Sequence, residues 1–486
     1  MLLNFQTVWH MSFTEGASNS RHRIMDSGRN RLRVLLTLIG CLLVSTVRAD
    51  VEECRNWFAA LQTRAQLAGI QDAGSIALPG YPWLRSNRWL AFLQQQVNSD
   101  AAGEQWMALA SREGLAHWRA VMARLDDKIE PDPKLEECVY TLTEFSAFPG
   151  VPDTAVPDAY STLQRVLGLY PLTRLVAQPS IDNYRREMRA RFQRPLRRPL
   201  RYYRPAPFIG APPPPSELSV NPLEVPNPGE GATRAMLSHY APIIAVADES
   251  EANLPGTIEL GQAISVNTES PVAYTWLSWT HYLGHNLLQL NYQFWFPERP
   301  PASRMDIYSG KLDGLIWRVT LKPDGNVLYY DSIHPCGCYH KVYPVARGLR
   351  ESGLLLDGPV FYNRLAPNAN QQAVVLHLEP DTHYVVAVGR AAEQWEDVPV
   401  FGYGYLPADR LRALPGADGK VRSLFNGDGL IAGTERRERW LLWPLGVPSA
   451  GAMRQAGNHA IAFVGKRHFD DARLPAMMFA PPAPGR

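Results

Sequence analysis

Eleven prolines fall between Pro195 and Pro228, four of them consecutive from Pro212 to Pro215. Proline fixes φ and has no N–H to donate, so a packed helix or a central strand does not accommodate that density. The stretch reads as an extended linker or a polyproline wrap over a surface. It also separates two kinds of hydrophobic pattern. With 486 residues the chain exceeds the size at which one core stops growing. The division expected is a leader over 1–49, a helical domain over 50–194, the linker over 195–230, an antiparallel β domain over 231–470 and a tail over 471–486.

Before the prolines the period is helical. Cys54, Trp57, Phe58 and Leu61 recur at helix spacing, as do Trp89, Leu90, Leu93 and Val97 behind a capping pair, Ser86-Asn87. Trp106, Leu109, Trp118 and Met122 continue the pattern, and a further helical stretch is expected from Asp158 to Phe192. After Gly231 the period becomes two. Leu288, Leu290, Tyr292, Phe294 and Phe296 alternate with polar residues and predict a strand with one buried face. Leu315–Leu321 and Asn326–Ile333 flank a Lys322-Pro323-Asp324-Gly325 turn, a hairpin signature that Val374–Leu378 and His383–Val388 repeat. Val398–Tyr405, Arg439–Leu445 and His459–Val464 are expected as further strands. The fold class expected is α+β: an N-terminal helical domain followed by a mainly antiparallel β domain, sandwich-like or an open barrel.

The N-terminus reads as an export signal. Arg29, Arg31 and Arg33 precede the apolar run Val34–Val47, and small residues before Asp50 place cleavage after Ala49. Met25 reads as the true start, and a lipoprotein box ending at Cys41 is the alternative. The apolar run is too short for a comfortable transmembrane helix. Six of the 49 basic and two of the 47 acidic residues precede Asp50, leaving 43 basic against 45 acidic residues and no global charge argument for nucleic acid or membrane binding. The remaining cysteines are Cys54, Cys138, Cys336 and Cys338, an even count that favours disulfides in an exported chain. Proximity pairs Cys54 with Cys138 and leaves Cys336 and Cys338 to each other.

Chemistry concentrates in His334-Pro335-Cys336-Gly337-Cys338-Tyr339-His340, which holds two of the five cysteines and two of the twelve histidines. Fully extended, the two histidines would lie about 20 Å apart at roughly 3.3 Å per residue, so sharing a metal requires a curl at Pro335 and Gly337. Curled, His334, Cys336, Cys338 and His340 present a ligand set for zinc or copper, with His377 or His383 as an added ligand. The same residues suit a redox dithiol, a cysteine nucleophile or a purely structural loop. Asp331 is the nearest carboxylate that could orient a histidine or serve as a catalytic base, and Asp306 and Asp313 precede the hairpin. Elsewhere, His281 and His285 have a spacing similar to that of the zincin metalloproteases, but Tyr282 stands where that family has its glutamate base.

Arg185 to Arg204 holds nine arginines and one acid, a contact for an anionic envelope polymer or lipid. The functional expectation is an exported metal-binding protein, with a metal-dependent hydrolase as its narrower form. A non-catalytic envelope or interaction protein with a structural Cys/His loop is the alternative.

Overall fold

Alternating apolar residues build one sheet of eleven strands: β1 (Leu200–Pro205), β2 (Ile243–Ala247), β3 (Val272–Tyr282), β4 (His285–Arg299), β5 (Gly310–Leu321), β6 (Val327–Ile333), β7 (Lys341–Pro344), β8 (Val360–Phe361), β9 (Val374–Leu378), β10 (Val385–Arg390) and β11 (Val400–Pro407). Their spatial order is β8-β7-β6-β5-β4-β3-β11-β1-β2-β9-β10. The structure, a computed structural model, describes residues 50–130, 132–148, 150, 156, 158–194, 200–206, 212–365, 373–390 and 400–481. The leader signals, Cys41 included, lie outside the described residues. The chain divides into two compact units, 1–56 and 57–486. Residues 50–56 of the first are helical, and the eleven-stranded sheet lies entirely within the second.

Both predicted hairpins are present, as β5–β6 and β9–β10, and β4 contains the alternating run. Gly325 N donates to Lys322 O at 3.0 Å and closes the first turn. The sheet is mixed, so the antiparallel expectation is met only in part: six neighbouring pairs run antiparallel and four parallel. Strand β11 is parallel to both of its neighbours, β1 and β3. This is one large sheet, not the two facing sheets of a sandwich.

The proline-rich stretch contributes to the sheet. Leu200–Arg204 is a five-residue window between prolines, long enough to pair with β2 on one side and β11 on the other. Pro205 falls at the strand end, where its missing donor costs least. Pro215 opens a helical turn, Pro215–Leu218, in the first position that tolerates it. Strand β4 is buried on both faces, because Gln289, Asn291 and Gln293 are covered as fully as the apolar set. Gln289 Nε2 donates to Thr320 Oγ1 at 3.1 Å and Asn291 Nδ2 to Ser278 Oγ at 2.9 Å, so two of the three amides are partnered, whereas Gln293 Nε2 finds no acceptor among the described residues. On the sheet near β5 to β7, Leu474, Met478 and Phe479 pack with Ile316, Tyr329 and Val342. Residues 471–481 therefore belong to the core rather than to a tail.

The helices of the scaffold and the site include α1 (Asp100–Asp126), α2 (Pro133–Glu144), α3 (Thr162–Leu167), α4 (Tyr170–Arg191) and α5 (Arg439–Leu442). Ser99 caps α1 by accepting from Ala102 N, and Asn87 caps the preceding helix by accepting from Leu90 N at 2.9 Å. A hairpin that the sequence did not announce, Ile76–Leu78 with Tyr81–Ser86, lies against α1 so closely that a Cβ on Gly114 would meet Trp83 O at 1.8 Å. Two expected strands are absent. Arg439–Leu445 is α5 followed by a 3-10 turn, since its short apolar run satisfies either period and Pro444 opens that turn. His459–Val464 forms a loop with one bridge, Ala460 to His468.

His281 and His285 sit on adjacent strands across the β3–β4 turn, whose Leu283 and Gly284 have φ of 50° and 82°. His281 Nδ1 lies 2.8 Å from Asn286 Oδ1. The helix that would align the pair for a metal is not there.

Candidate functional site

The loop between β6 and β7 curls as its composition requires. His334 N donates to Cys338 O at 3.0 Å and Gly337 N to His334 O at 2.8 Å. Gly337 and Tyr339 have φ of 90° and 64°. A Cβ on Gly337 would meet Ala460 O at 2.2 Å, so only glycine fits that turn. Tyr339 carries left-handed strain with a side chain attached, a cost of about 1–3 kcal/mol that folds usually hold only where surrounding contacts impose it.

This loop floors a cavity of about 590 Å³. Helix α4 forms one wall, and α5, its 3-10 extension and the 460–463 loop form another. The volume lies within the range of small-molecule sites. Cys336, Cys338 and His340 line it, whereas His334 and Asp331 lie behind it.

The predicted ligand set does not converge. His334 Nδ1 is 3.2 Å from Asp313 Oδ1, and His340 Nε2 is 3.1 Å from Asp331 Oδ2, so each histidine turns to a different carboxylate. Among the described residues no group of three or more His, Cys, Asp and Glu side chains is arranged to hold a metal ion. Cys54 and Cys138 are disulfide-bonded, while Cys336 and Cys338 are free thiols. The Cys336 contact, aided by burial, pushes the Cys338 thiol well above its ordinary range, which leaves little thiolate for nucleophilic attack.

Asp331 is fully buried, and both oxygens are taken by Arg318, Nε to Oδ1 at 2.9 Å and Nη2 to Oδ2 at 2.5 Å. Burial alone would raise this carboxyl, but Arg318 and the His340 hydrogen bond outweigh it and hold it below the usual carboxylate range. Burial pushes His340 down despite Asp331, so its ring is neutral at pH 7 with Nε2–H directed at the carboxylate. Its Nδ1 has no hydrogen-bond partner among the described residues. Asp331 thus orients His340 from behind and does not reach the cavity.

Asp313 bridges two histidines, with His383 Nδ1 2.8 Å from its Oδ2. His383 Nε2 faces Ala252 O at 3.0 Å. A carbonyl only accepts, so Nε2 is the donor in that contact. Asp313 is held ionised: the two histidines overcome the upward push of burial. Asp306 closes a turn, accepting from Ala302 N and Tyr308 N. The structure therefore joins Asp313, His334 and His383 behind the loop, leaves His377 on β9 and places Asp306 in a turn.

The polar end of the cavity comes from residues that sequence reasoning did not single out. Glu438 is 4% exposed, lines the cavity and makes no side-chain hydrogen bond or ion pair among the described residues. Burial pushes its pKa up to about 7, against the opposing pull of Arg299 and Arg436. Its charge in turn contributes to raising Tyr308, Cys338 and Tyr339, so these groups share one environment. Arg299, at the end of β4, lies 5.4–5.8 Å from the ring centroids of Tyr308, Tyr339 and Tyr384 and donates to Tyr384 OH at 3.3 Å. No carboxylate among the described residues pairs with it. The available signal was Arg436-Arg437-Glu438-Arg439, a single acid among arginines directly before Trp440-Leu441-Leu442-Trp443.

Part of the arginine-rich stretch is neutralised within the fold. Arg185 and Arg189 bind Glu351 at 2.5 and 2.8 Å, Arg191 binds Glu379, and Arg201 binds Asp248 at 2.5 Å. Arg197 and Arg198 lie outside the described residues. No described helix is long and apolar enough to cross a membrane.

No protein-family model matches the chain, and no curated protein or solved structure is similar to it.

Proposed function

We propose that this is an exported protein whose cavity binds a small amphiphile with an anionic head, and that Glu438 exchanges a proton with the bound molecule. The observation that carries this reading is Glu438: a buried, unpartnered carboxyl on the wall of a cavity, pushed up to about 7 by burial. An unpaired buried acid lowers stability, and such groups cluster where acid–base chemistry is done. Arg299 supplies the anion site, because its guanidinium is bounded by tyrosine rings rather than by a carboxylate. The apolar wall, with Val176, Leu441, Leu442 and Leu445, suits an alkyl or aromatic portion. His340, oriented by Asp331, is a second proton acceptor, on the floor of the cavity.

Calorimetric titration with octanoate tests the arrangement. Glu438 is neutral below about pH 7 and repels an anion once ionised, so affinity should fall roughly tenfold between pH 6 and pH 8. Glu438→Gln should remove that pH dependence, and Arg299→Met should weaken binding at both pH values. Octanoate binding that is indifferent to pH and to both substitutions would rule the reading out.

A further inference from the structure

The mouth of the cavity opens among exposed apolar side chains. Leu163, Val166, Leu169, Leu172, Leu175 and Val176, on and between α3 and α4, are each 62–78% exposed. Trp440 and Leu441, on α5, are 69% and 64% exposed. The two groups are adjacent: Ser161 N donates to Gly446 O at 2.8 Å, and a Cβ on Gly168 would meet Pro444 Cβ at 2.3 Å. They also share the cavity, since Val176 and Leu441 both line it. Scattered exposed leucines need no explanation, but a continuous apolar patch around a cavity mouth does.

Positive charge predominates around the patch. From Thr162 to Ile181 there are two arginines and no acid. Arg174 and Arg437 are exposed and have no ion-pair partner among the described residues. Arg439 lies 4.7 Å over the Trp440 ring. Of the nearby acids, Glu438 is buried, Asp158 pairs with Lys466 at 2.7 Å, Asp182 pairs with Arg185 at 3.8 Å, and Glu435 is exposed and accepts from Gly433 N at 3.0 Å.

We infer that this face docks onto an anionic lipid surface, with α3, α4 and α5 set into the headgroup boundary. Exposed leucines with a tryptophan beside them and unpaired arginines at the rim are the composition of an interfacial element. A second copy of the chain, or its own Val34–Val47 run, would bury the same leucines but close the cavity mouth and leave the arginines without counter-charge. A bilayer satisfies both and delivers amphiphiles to the opening. The docking stands on the patch alone; that the substrate is a membrane amphiphile rests on the proposed function of the cavity.

Co-sedimentation of the full chain with vesicles tests it, comparing phosphatidylcholine alone with mixed phosphatidylcholine and phosphatidylglycerol. Binding should favour the anionic vesicles and weaken with salt. Leu172→Ser with Leu175→Ser, and separately Trp440→Ser with Leu441→Ser, should each reduce it about tenfold or more. Arg174→Glu with Arg437→Glu should remove the preference for anionic vesicles. Vesicle binding unchanged by all three variants would place the contact elsewhere, Val34–Val47 included, and overturn the inference. Sedimentation velocity showing that the patch holds two copies together, with no vesicle binding, would overturn it as well. Octanoate titration of the same variants separates the two proposals: retained octanoate binding with lost vesicle binding supports docking, whereas vesicle binding without any octanoate binding defeats only the cavity reading.

Discussion

Glu438→Gln should stabilise the protein by about 3 kcal/mol at pH 8 and by almost nothing at pH 4. The sign follows from the direction of the shift. Glu438 has its pKa pushed up to about 7 in the folded chain from an ordinary 4.5. Unfolding therefore releases a proton between those values, and stability drains as pH rises from about 4.5 to about 7, then levels off. Glutamine keeps the shape and the hydrogen-bonding capacity but never ionises. Glu113 is also pushed up to about 7, mainly by burial, so the wild-type curve alone does not isolate Glu438. The difference between wild type and variant does. Urea unfolding of both proteins from pH 4 to pH 8 checks it, and a difference that stays flat across that range would remove Glu438 as a strained acid.

Asp331→Asn should cost roughly 3–5 kcal/mol, because it leaves a buried guanidinium without its counter-charge. Arg318 is 1% exposed and donates to both oxygens of Asp331, with the Phe469 ring centroid 3.4 Å from its guanidinium carbon. Burial this complete keeps bulk solvent from compensating. Arg318→Met with Asp331→Leu should recover much of the loss, since a well-packed apolar pair avoids the desolvation of two ions. Denaturant midpoints of the two single variants and the double variant measure the coupling. A loss below about 1 kcal/mol for Asp331→Asn would mean that the pair is not what fixes the β5–β6 hairpin. The double variant also frees His340, so octanoate binding measured on it reports whether the orientation of that ring matters to the cavity.

Local signals were legible in the sequence. The β5–β6 turn, the alternating run of β4 and the Asn87 cap each depend on residues within a few positions of one another. The Cys/His loop was legible as a place, because dense polar chemistry beside Pro335 and Gly337 forces a tight turn, and three of its four singled-out residues do reach the cavity. What they face was not legible. Their partners, Asp313, Glu438 and Arg299, come from other elements, and only pairing across long chain separations brings them near. Arg439–Leu445 shows the limit of periodicity: an apolar run of that length fits a strand as well as a helix, and misreading it concealed Glu438. The mixed pairing was hidden for the same reason. Parallel neighbours such as β1 and β11 are separated by about two hundred residues and leave no turn between them to read.

The position of β11 has a consequence for the order in which the chain can be assembled on the ribosome. Ten strands are made before it, and without it they form two separate sheets: β1, β2, β9 and β10 in one, β3 to β8 in the other. Each would present a raw edge, at β1 and at β3, until Val400–Pro407 is synthesised and slides between them. Unpaired edges are where nascent chains find wrong partners. Late closure by one strand leaves both edges open until that segment is made, and a chain terminated before residue 400 would lack the strand that joins the two halves of the sheet.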